Sequence, residues 1–119
     1  MYGYVKVGSA VPKLRVADCV YNKEEILKLV EAAAAKQVRV LSFPELSVTG
    51  YTCADLFFQA PLLHAAEQAI QEIAEATEAL NIFLLIGAPI AVDNQMFNCA
   101  VALYKGKLLG IVPKTHIPN

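Results

Sequence analysis

Residues 38–50, VRVLSFPELSVTG, decide how the rest of the chain is arranged. The first six residues have the β-branched and apolar character of an interior strand, and Pro44 cannot donate a hydrogen bond to a continuing ladder. The strand is therefore expected to end there, with Glu45 immediately beyond it. Open α/β sheets keep their chemistry outside the carboxyl ends of the strands, so Glu45 is the first candidate functional residue. A surface glutamate in an ordinary loop is the alternative that this stretch leaves open.

The composition predicts a globular domain that binds neither nucleic acid nor membrane. The chain has 119 residues, and 56% of them are hydrophobic, which is enough to build a core. Its formal net charge is −1, and its 10 basic residues form no cluster of the kind that marks a nucleic-acid site. No apolar run reaches the roughly 18 residues of a membrane span, and the N-terminus lacks a signal-peptide pattern. We therefore expect a cytoplasmic protein.

The cysteine pattern predicts buried, reduced thiols. Cys19, Cys53 and Cys99 are widely spaced, odd in number and without a CxxC pair. This spacing argues against a disulfide framework and against a zinc site.

The amphipathic segments predict two helices. Asn22, followed three positions later by Glu25, resembles a capping box, so the first helix is expected to begin at Asn22. Pro61 suits the first turn of a second helix, which is expected to run to about Leu80. Apolar positions at a period near 3.6 predict one buried face on each helix. These positions are Ile26, Leu27, Val30, Ala33 and Ala34 in the first helix, and Ala66, Ile70, Ile73, Thr77 and Leu80 in the second.

The remaining apolar runs predict strands in a mixed sheet. Residues 4–10 form a first strand, and residues 82–86 form a buried strand that is expected to stop at residues 87–89, Gly-Ala-Pro. Residues 96–103 and 107–112 form a hairpin through a type I′ turn at residues 105–106, because glycine suits the positive φ of that turn. The order of the elements predicts an α/β fold, a mixed sheet with two main helices.

Lys114 is the second candidate functional residue. It follows the last predicted strand, which Pro113 is expected to close, just as Glu45 follows its own strand. A sheet that places these two strands side by side would bring a carboxylate and an ammonium to one edge. The alternative is a solvated lysine near the end of the chain.

Several motifs carry a resemblance to a known family. They are the opening YGYVKV at residues 2–7, FPELSVTGYTCADLF at residues 43–57, NCAV at residues 98–101 and VPKT at residues 112–115. In these motifs the chain resembles the nitrilase superfamily of carbon–nitrogen hydrolases, and within it the amino-terminal glutaminase domains of the glutamine-dependent NAD synthetase family. The resemblance covers the whole chain. It implies that residues 1–119 are the first half of a nitrilase-like α-β-β-α sandwich, a partial amino-terminal domain.

The same resemblance implies a Glu-Lys-Cys triad in which a cysteine attacks the side-chain amide of glutamine. Glu45 would be the general base, Lys114 would stabilise the oxyanion, and Tyr51 would line the glutamine pocket. The family's nucleophilic cysteine follows the lysine after another strand, so it is expected outside this chain, and Cys53 does not occupy its position. The 119 residues alone are therefore expected to be inactive.

The resemblance also implies the partners. Glutamine would supply ammonia to a second domain, outside this chain, that uses ATP and Mg²⁺ to convert deamido-NAD to NAD. No cofactor or metal is expected in the chain itself. Half of a sandwich leaves apolar surface uncovered, which predicts a homo-oligomer. Two alternatives stay open, namely another amidase of the superfamily and a non-catalytic interaction module with the same fold.

Overall fold

A five-stranded mixed sheet and two helices make up the part of the chain that the computed structural model describes, residues 3–50, 60–93 and 95–117. The predicted α/β fold is confirmed. The strands lie side by side in the order in which they occur in the chain. Strands β1, β2 and β3 are parallel, whereas β4 is antiparallel to both β3 and β5. The elements are β1 (Val7–Ser9), α1 (Cys19–Ala35), β2 (Val40–Ser42), α2 (Ala60–Ala76), β3 (Phe83–Val92), β4 (Gln95–Tyr104) and β5 (Lys107–Ile117).

The two faces of the sheet differ in how well they are covered. Residues that pair directly across strands point to the same face, and the row Leu41, Leu84, Leu103 is buried in one core cluster with the apolar side chains of the helices. Side chains of both helices, such as Ile26 and Ile73, are fully buried in that cluster. The opposite row begins with a Val7 that is 67% exposed. Apolar surface is thus uncovered on the face away from the helices.

Helix α1 begins earlier than the sequence predicted, and the predicted capping box does not form. Its N-cap is Asp18, whose carboxylate accepts a hydrogen bond from the Tyr21 amide at 3.0 Å. Asn22 lies inside the first turn and is fully buried. It does not cap the helix, because its side chain forms hydrogen bonds with Arg15 and Val48. Glu25 pairs with Lys28 at 2.7 Å instead of capping. The predicted start at Asn22 was therefore wrong.

Helix α2 ends at Ala76, four residues before the predicted end at Leu80. The hydroxyl of Thr77 donates to the carbonyl of Ile73 at 2.8 Å, just beyond the last turn. The predicted buried face is confirmed, since Ala66, Ile73 and Thr77 are each at most 3% exposed. Neither helix of the described residues is long and apolar enough to cross a membrane.

Strand β3 continues through residues 87–89, where the sequence predicted that it would stop. The Phe83 amide bonds to Arg39 O at 2.7 Å, and Gly87 O accepts from the Val48 amide at 3.1 Å, so odd-numbered residues direct their backbone polar groups away from β4. By the two-residue period, the nitrogen of Pro89 faces the same way. Pro89 therefore removes no hydrogen bond from the β3–β4 ladder, and the strand is not interrupted.

The β4–β5 hairpin has the predicted turn but a longer second strand. Lys105 and Gly106 have φ values of 50° and 83°, and Tyr104 pairs with Lys107, as a type I′ turn requires. Strand β5 then continues to Ile117, so Pro113 does not close it. Proline is tolerated here because β5 is the edge strand of the described sheet and Pro113 lies beside a register shift.

Candidate active site

Glu45 lies in a tight turn, residues 44–50, that follows β2 and folds back over β3. The Val48 amide donates to Gly87 O at 3.1 Å, and the Gly87 amide donates to the Ser47 hydroxyl at 3.3 Å. A Cβ on Gly87 would lie 2.5 Å from Pro44 O and closer still to the backbone nitrogen of Leu46. Only glycine lets the turn approach β3 this closely, so Gly87 sets the position of Glu45.

The far side of this turn rests on the segment that precedes α1. Asn22 Nδ2 donates to Val48 O at 2.9 Å, and the Ala17 amide donates to Thr49 O at 2.7 Å. Leu46 has a φ of 53°, a region that costs energy for residues with a branched side chain. The carbonyl of Leu46 accepts a hydrogen bond from the amide of Gly50 at 2.7 Å, and this bond closes the turn. Glu45 is thus carried by a backbone that is bonded on both sides.

Lys114 reaches the site through a β-bulge. Cys99 pairs with Pro113 and Asn98 pairs with Thr115, so Lys114 is the extra residue of β5. A bulge bends the strand and re-aims one side chain. The ammonium of Lys114 lies 3.8 Å from Oε1 of Glu45. The structure therefore brings the two candidate residues together.

The predicted route to this contact was wrong, because β2 and β5 are not neighbours. Strands β3 and β4 lie between them. The turn at residues 44–50 carries Glu45 over β3, and the bulge turns Lys114 towards it from the other side of β4. Sequence reasoning had no signal for the turn over β3, since the contact depends on a backbone approach at Gly87.

Asn98 completes the cluster, and sequence reasoning gave it no role. Its Nδ2 donates to Oε2 of Glu45 at 3.0 Å, and the residue is 4% exposed. The Glu45 and Lys114 side chains are 41% and 49% exposed. The available signal was the position of Asn98 within the motif at residues 98–101. An ordered amide thus holds one carboxylate oxygen while the other faces the ammonium.

These side chains border a small cavity of about 190 Å³. Its lining includes Phe43, Gly87 and Cys99 in addition to Glu45 and Lys114. A larger cavity of about 350 Å³ lies between α2 and strands β3 to β5, with an almost wholly apolar lining. The smaller cavity is the candidate active site because it alone of the two contains a paired carboxylate and ammonium.

The two cysteines that the structure describes are buried, as predicted. Cys99 is 2% exposed, and burial raises the pKa of its thiol. A thiol whose pKa is raised is a poor nucleophile at neutral pH, which agrees with a structural role for Cys99 although it borders the cavity. Cys19 lies in the core at the start of α1. Cys53 and Tyr51 lie outside the described residues.

The arrangement is suited to acid–base work on a polar substrate. A carboxylate beside the cavity can accept a proton from an attacking group, and an ammonium can stabilise negative charge that develops on a substrate oxygen. Within residues 3–50, 60–93 and 95–117, no group of three or more His, Cys, Asp or Glu side chains could hold a metal ion. The cluster of Glu45, Lys114 and Asn98 thus combines a carboxylate, an ammonium and an amide beside one cavity.

The mixed sheet with its paired glutamate and lysine is compatible with a hydrolase, and a family profile identifies the class. The Carbon-nitrogen hydrolase profile matches residues 6–119, and the chain belongs to this family. More particularly, it is similar to glutamine-dependent NAD(+) synthetases. It is 33% identical to that of Mycobacterium leprae (strain TN), over 98% of this chain and 17% of the relative. It is 29% identical to that of Homo sapiens, over 90% of this chain and 16% of the relative.

A solved structure gives the same result. The glutamine-dependent NAD(+) synthetase from Cytophaga hutchinsonii aligns with a TM-score of 0.84 at 29% identity, covering 90% of this chain and 18% of that one. An amidase from Nesterenkonia sp. aligns with a TM-score of 0.72 at 22% identity, over 89% of this chain and 41% of that one, and shares the fold. The chain thus spans less than a fifth of the length of these synthetases.

Proposed function

We propose that the 119 residues form the first part of the glutaminase domain of a longer, glutamine-dependent NAD synthetase. One observation carries the proposal, the pairing of Glu45 with Lys114 at 3.8 Å in a chain that is similar to such synthetases along 98% of its length. In the complete polypeptide, glutamine is hydrolysed and the ammonia passes to a second domain. That domain uses ATP to amidate deamido-NAD to NAD.

Glu45 and Lys114 have complementary roles in the proposed hydrolysis. Glu45 accepts the proton of a cysteine thiol supplied by the chain beyond residue 119, and the thiolate attacks the side-chain amide carbon of glutamine. The carbonyl oxygen becomes an oxyanion, which the Lys114 ammonium stabilises. Collapse of this intermediate breaks the C–N bond, and the leaving group takes the proton from Glu45 and departs as ammonia. Water then hydrolyses the thioester, releasing glutamate and restoring the thiol.

The remaining parts of the proposal lie outside the described residues. Tyr51 contacts glutamine, and ATP and Mg²⁺ bind to the second domain. No step in this chain is assigned to Mg²⁺. The complete protein is cytoplasmic and homo-oligomeric. Exposed apolar residues on the uncovered face of the sheet, such as Val7 and Val112, support association.

The decisive experiment compares two activities of the complete polypeptide. Glu45→Gln or Lys114→Ala should abolish NAD formation from glutamine and leave NAD formation from added ammonia nearly intact, because the second domain needs only ammonia. Glu75→Gln and Lys107→Ala change the same residue types at exposed positions and should retain both activities. Loss of both activities in the Glu45 and Lys114 variants would indicate a role in folding. Hydrolysis of other amides without glutamine hydrolysis would instead place the protein among the family's amidases.

The 119 residues alone are proposed to lack glutaminase activity. Removal of one member of a catalytic triad costs several orders of magnitude in rate, and no cysteine of this chain occupies the nucleophile's position. Incubation with glutamine and an assay for ammonia tests this expectation. Turnover that disappears in a Cys53→Ala variant would contradict it.

A further inference from the structure

The side chain of Asn98 has a contact that the proposed triad does not explain. It lies on β4 between Pro89 of β3 and Thr115 of β5, and its Nδ2 donates to Glu45 Oε2 at 3.0 Å. The residue is 4% exposed, whereas the Glu45 side chain is 41% exposed. The buried amide of Asn98, on a strand, therefore holds the half-exposed carboxylate of Glu45, on a turn.

The charge of Glu45 sets the orientation of the Asn98 amide. An ionised carboxylate only accepts hydrogen bonds, so the donor that faces it must be Nδ2. The other end of the amide, Oδ1, is buried and has no hydrogen-bond partner among the described residues. Within the described residues, the amide is therefore anchored by the bond that its Nδ2 donates to Glu45. Asn98 thus presents a hydrogen-bond donor to Glu45, which suits the carboxylate that a general base must have.

The two oxygens of Glu45 have different neighbours. Oε2 is held by Asn98, and Oε1 lies 3.8 Å from the ammonium of Lys114. Among the described residues, Lys114 is the charged side chain that pairs with this carboxylate. Because Oε2 is occupied by the amide, Oε1 is the oxygen left to face the cavity and to exchange protons.

We propose that Asn98 is a positioning residue, which fixes the Glu45 carboxylate through Oε2 so that Oε1 serves as the proton acceptor. The inference rests on the proposed function, because it assigns the base role to Glu45. The step that it governs is the transfer of the thiol proton to Oε1, in which the S–H bond breaks and an O–H bond forms. Asn98 itself exchanges no proton.

The first test is the kinetics of the complete polypeptide with Asn98→Ala. Loss of the amide frees the carboxylate to rotate, and a misplacement of about 1 Å in a catalytic group can lower the rate about 100-fold. We expect kcat for glutamine hydrolysis to fall about 100-fold, with KM changed less than about threefold, because the amide contacts the base and not the substrate. Ammonia-dependent NAD formation, which reports the fold, should not change. Asn81→Ala, at an exposed asparagine, is the matched control and should retain both activities.

The second test separates positioning from packing through the isosteric variant Asn98→Asp. Two carboxylates at this separation cannot both ionise readily, so at low pH they share one proton and the protonated Asp can still donate to Glu45. As pH rises both ionise and repel each other. Between about pH 5 and pH 9, kcat of this variant should fall with rising pH relative to the unsubstituted protein.

The outcomes distinguish the two proposals. Equal losses for Asn98→Ala and Asn98→Asp at every pH, or kcat unchanged in both, would overturn the positioning role. If the complete polypeptide hydrolyses another amide and not glutamine, the proposed function fails, and the same kcat comparison with that amide still decides the role of Asn98. A polypeptide that hydrolyses no amide overturns both proposals.

Discussion

The turn that carries Glu45 and the strand that carries Lys114 meet at one cavity but are held in different ways. Leu46, Val48 and Thr49 of the turn are at most 3% exposed, and backbone hydrogen bonds tie the turn to β3 and to the segment before α1. On β5, Ile111 and Val112 are 42% and 59% exposed, and the strand is paired only with β4 among the described residues.

This difference shows that tertiary contacts position the carboxylate and that strand register positions the ammonium. The turn has no ladder of its own, so its place depends on groups distant in sequence, such as Gly87 and Asn22. Lys114 needs only the hairpin and one bulge. Substitutions of residues that support the turn, such as Gly87 and Asn22, should therefore lower the unfolding free energy more than matched substitutions in β5.

The largest effect is expected for Gly87→Ala. The new Cβ would lie 2.5 Å from Pro44 O and 2.8 Å from Glu45 C, and the backbone of the turn must move to admit it. Overpacking of this kind costs about 3 kcal/mol, the upper end of the usual range, because the obstacle is backbone. Chemical denaturation measures this loss.

Gly110→Ala provides the matched control in β5. A Cβ on Gly110 meets no atom of the described residues within 4 Å, so the change should be within about 0.5 kcal/mol. Equal losses at the two glycines would contradict the contrast between the turn and the strand.

A smaller loss is expected for Asn22→Ala. The Asn22 side chain accepts from the Arg15 amide at 2.7 Å and donates to Arg15 O and Val48 O at 2.8 Å and 2.9 Å. Its removal leaves buried backbone groups unpaired, which should cost about 2 kcal/mol of unfolding free energy. Asn81→Ala, which removes an exposed bond to Tyr104, should cost less than half as much in the same denaturation experiment. If Asn81→Ala cost as much, burial would not explain the effect at Asn22.

Cys99 lies on β4, between the turn and β5. We expect its thiol to make the unfolding free energy depend on pH. Burial raises the pKa of this thiol in the folded protein. The unfolded thiol ionises near its ordinary pKa of about 8.5, so the stabilising contribution is complete below that pH and is lost as pH rises towards the higher folded value. The unfolding free energy should therefore fall more steeply above about pH 8.5 in the unsubstituted protein than in Cys99→Ala. Parallel curves for the two proteins would show that Cys99 does not cause the fall.

The smallest effect on stability is expected for Lys114→Ala. Its ion pair with Glu45 spans 3.8 Å between two half-exposed side chains, and such pairs contribute little. The unfolding free energy should change by less than about 0.5 kcal/mol, whereas the proposed function predicts that the same variant loses glutamine-dependent activity. A loss above about 1.5 kcal/mol would show that the ion pair helps to hold β5 in place, contrary to the difference between the turn and the strand.

The sequence by itself determined the features that depend on neighbouring residues. The type I′ turn at Lys105 and Gly106 was predictable because its backbone angles favour glycine. The buried faces of α1 and α2 followed from the helical period of their apolar residues. The strand that ends before Glu45 followed from its β-branched residues and from Pro44. Local propensity and periodicity are properties of short segments, so they can be read without the fold.

Only the tertiary structure decided how distant segments meet at the site. Asn22 was predicted to cap a helix, but its side chain binds Arg15 and Val48 because the folded chain places those buried groups around it. Gly87 was predicted to end a strand, and instead it admits the turn that carries Glu45. The bulge at Lys114 and the bond from Asn98 depend on strand register. Hydrogen-bond satisfaction and close backbone packing act between residues far apart in the chain, so no local pattern specifies them.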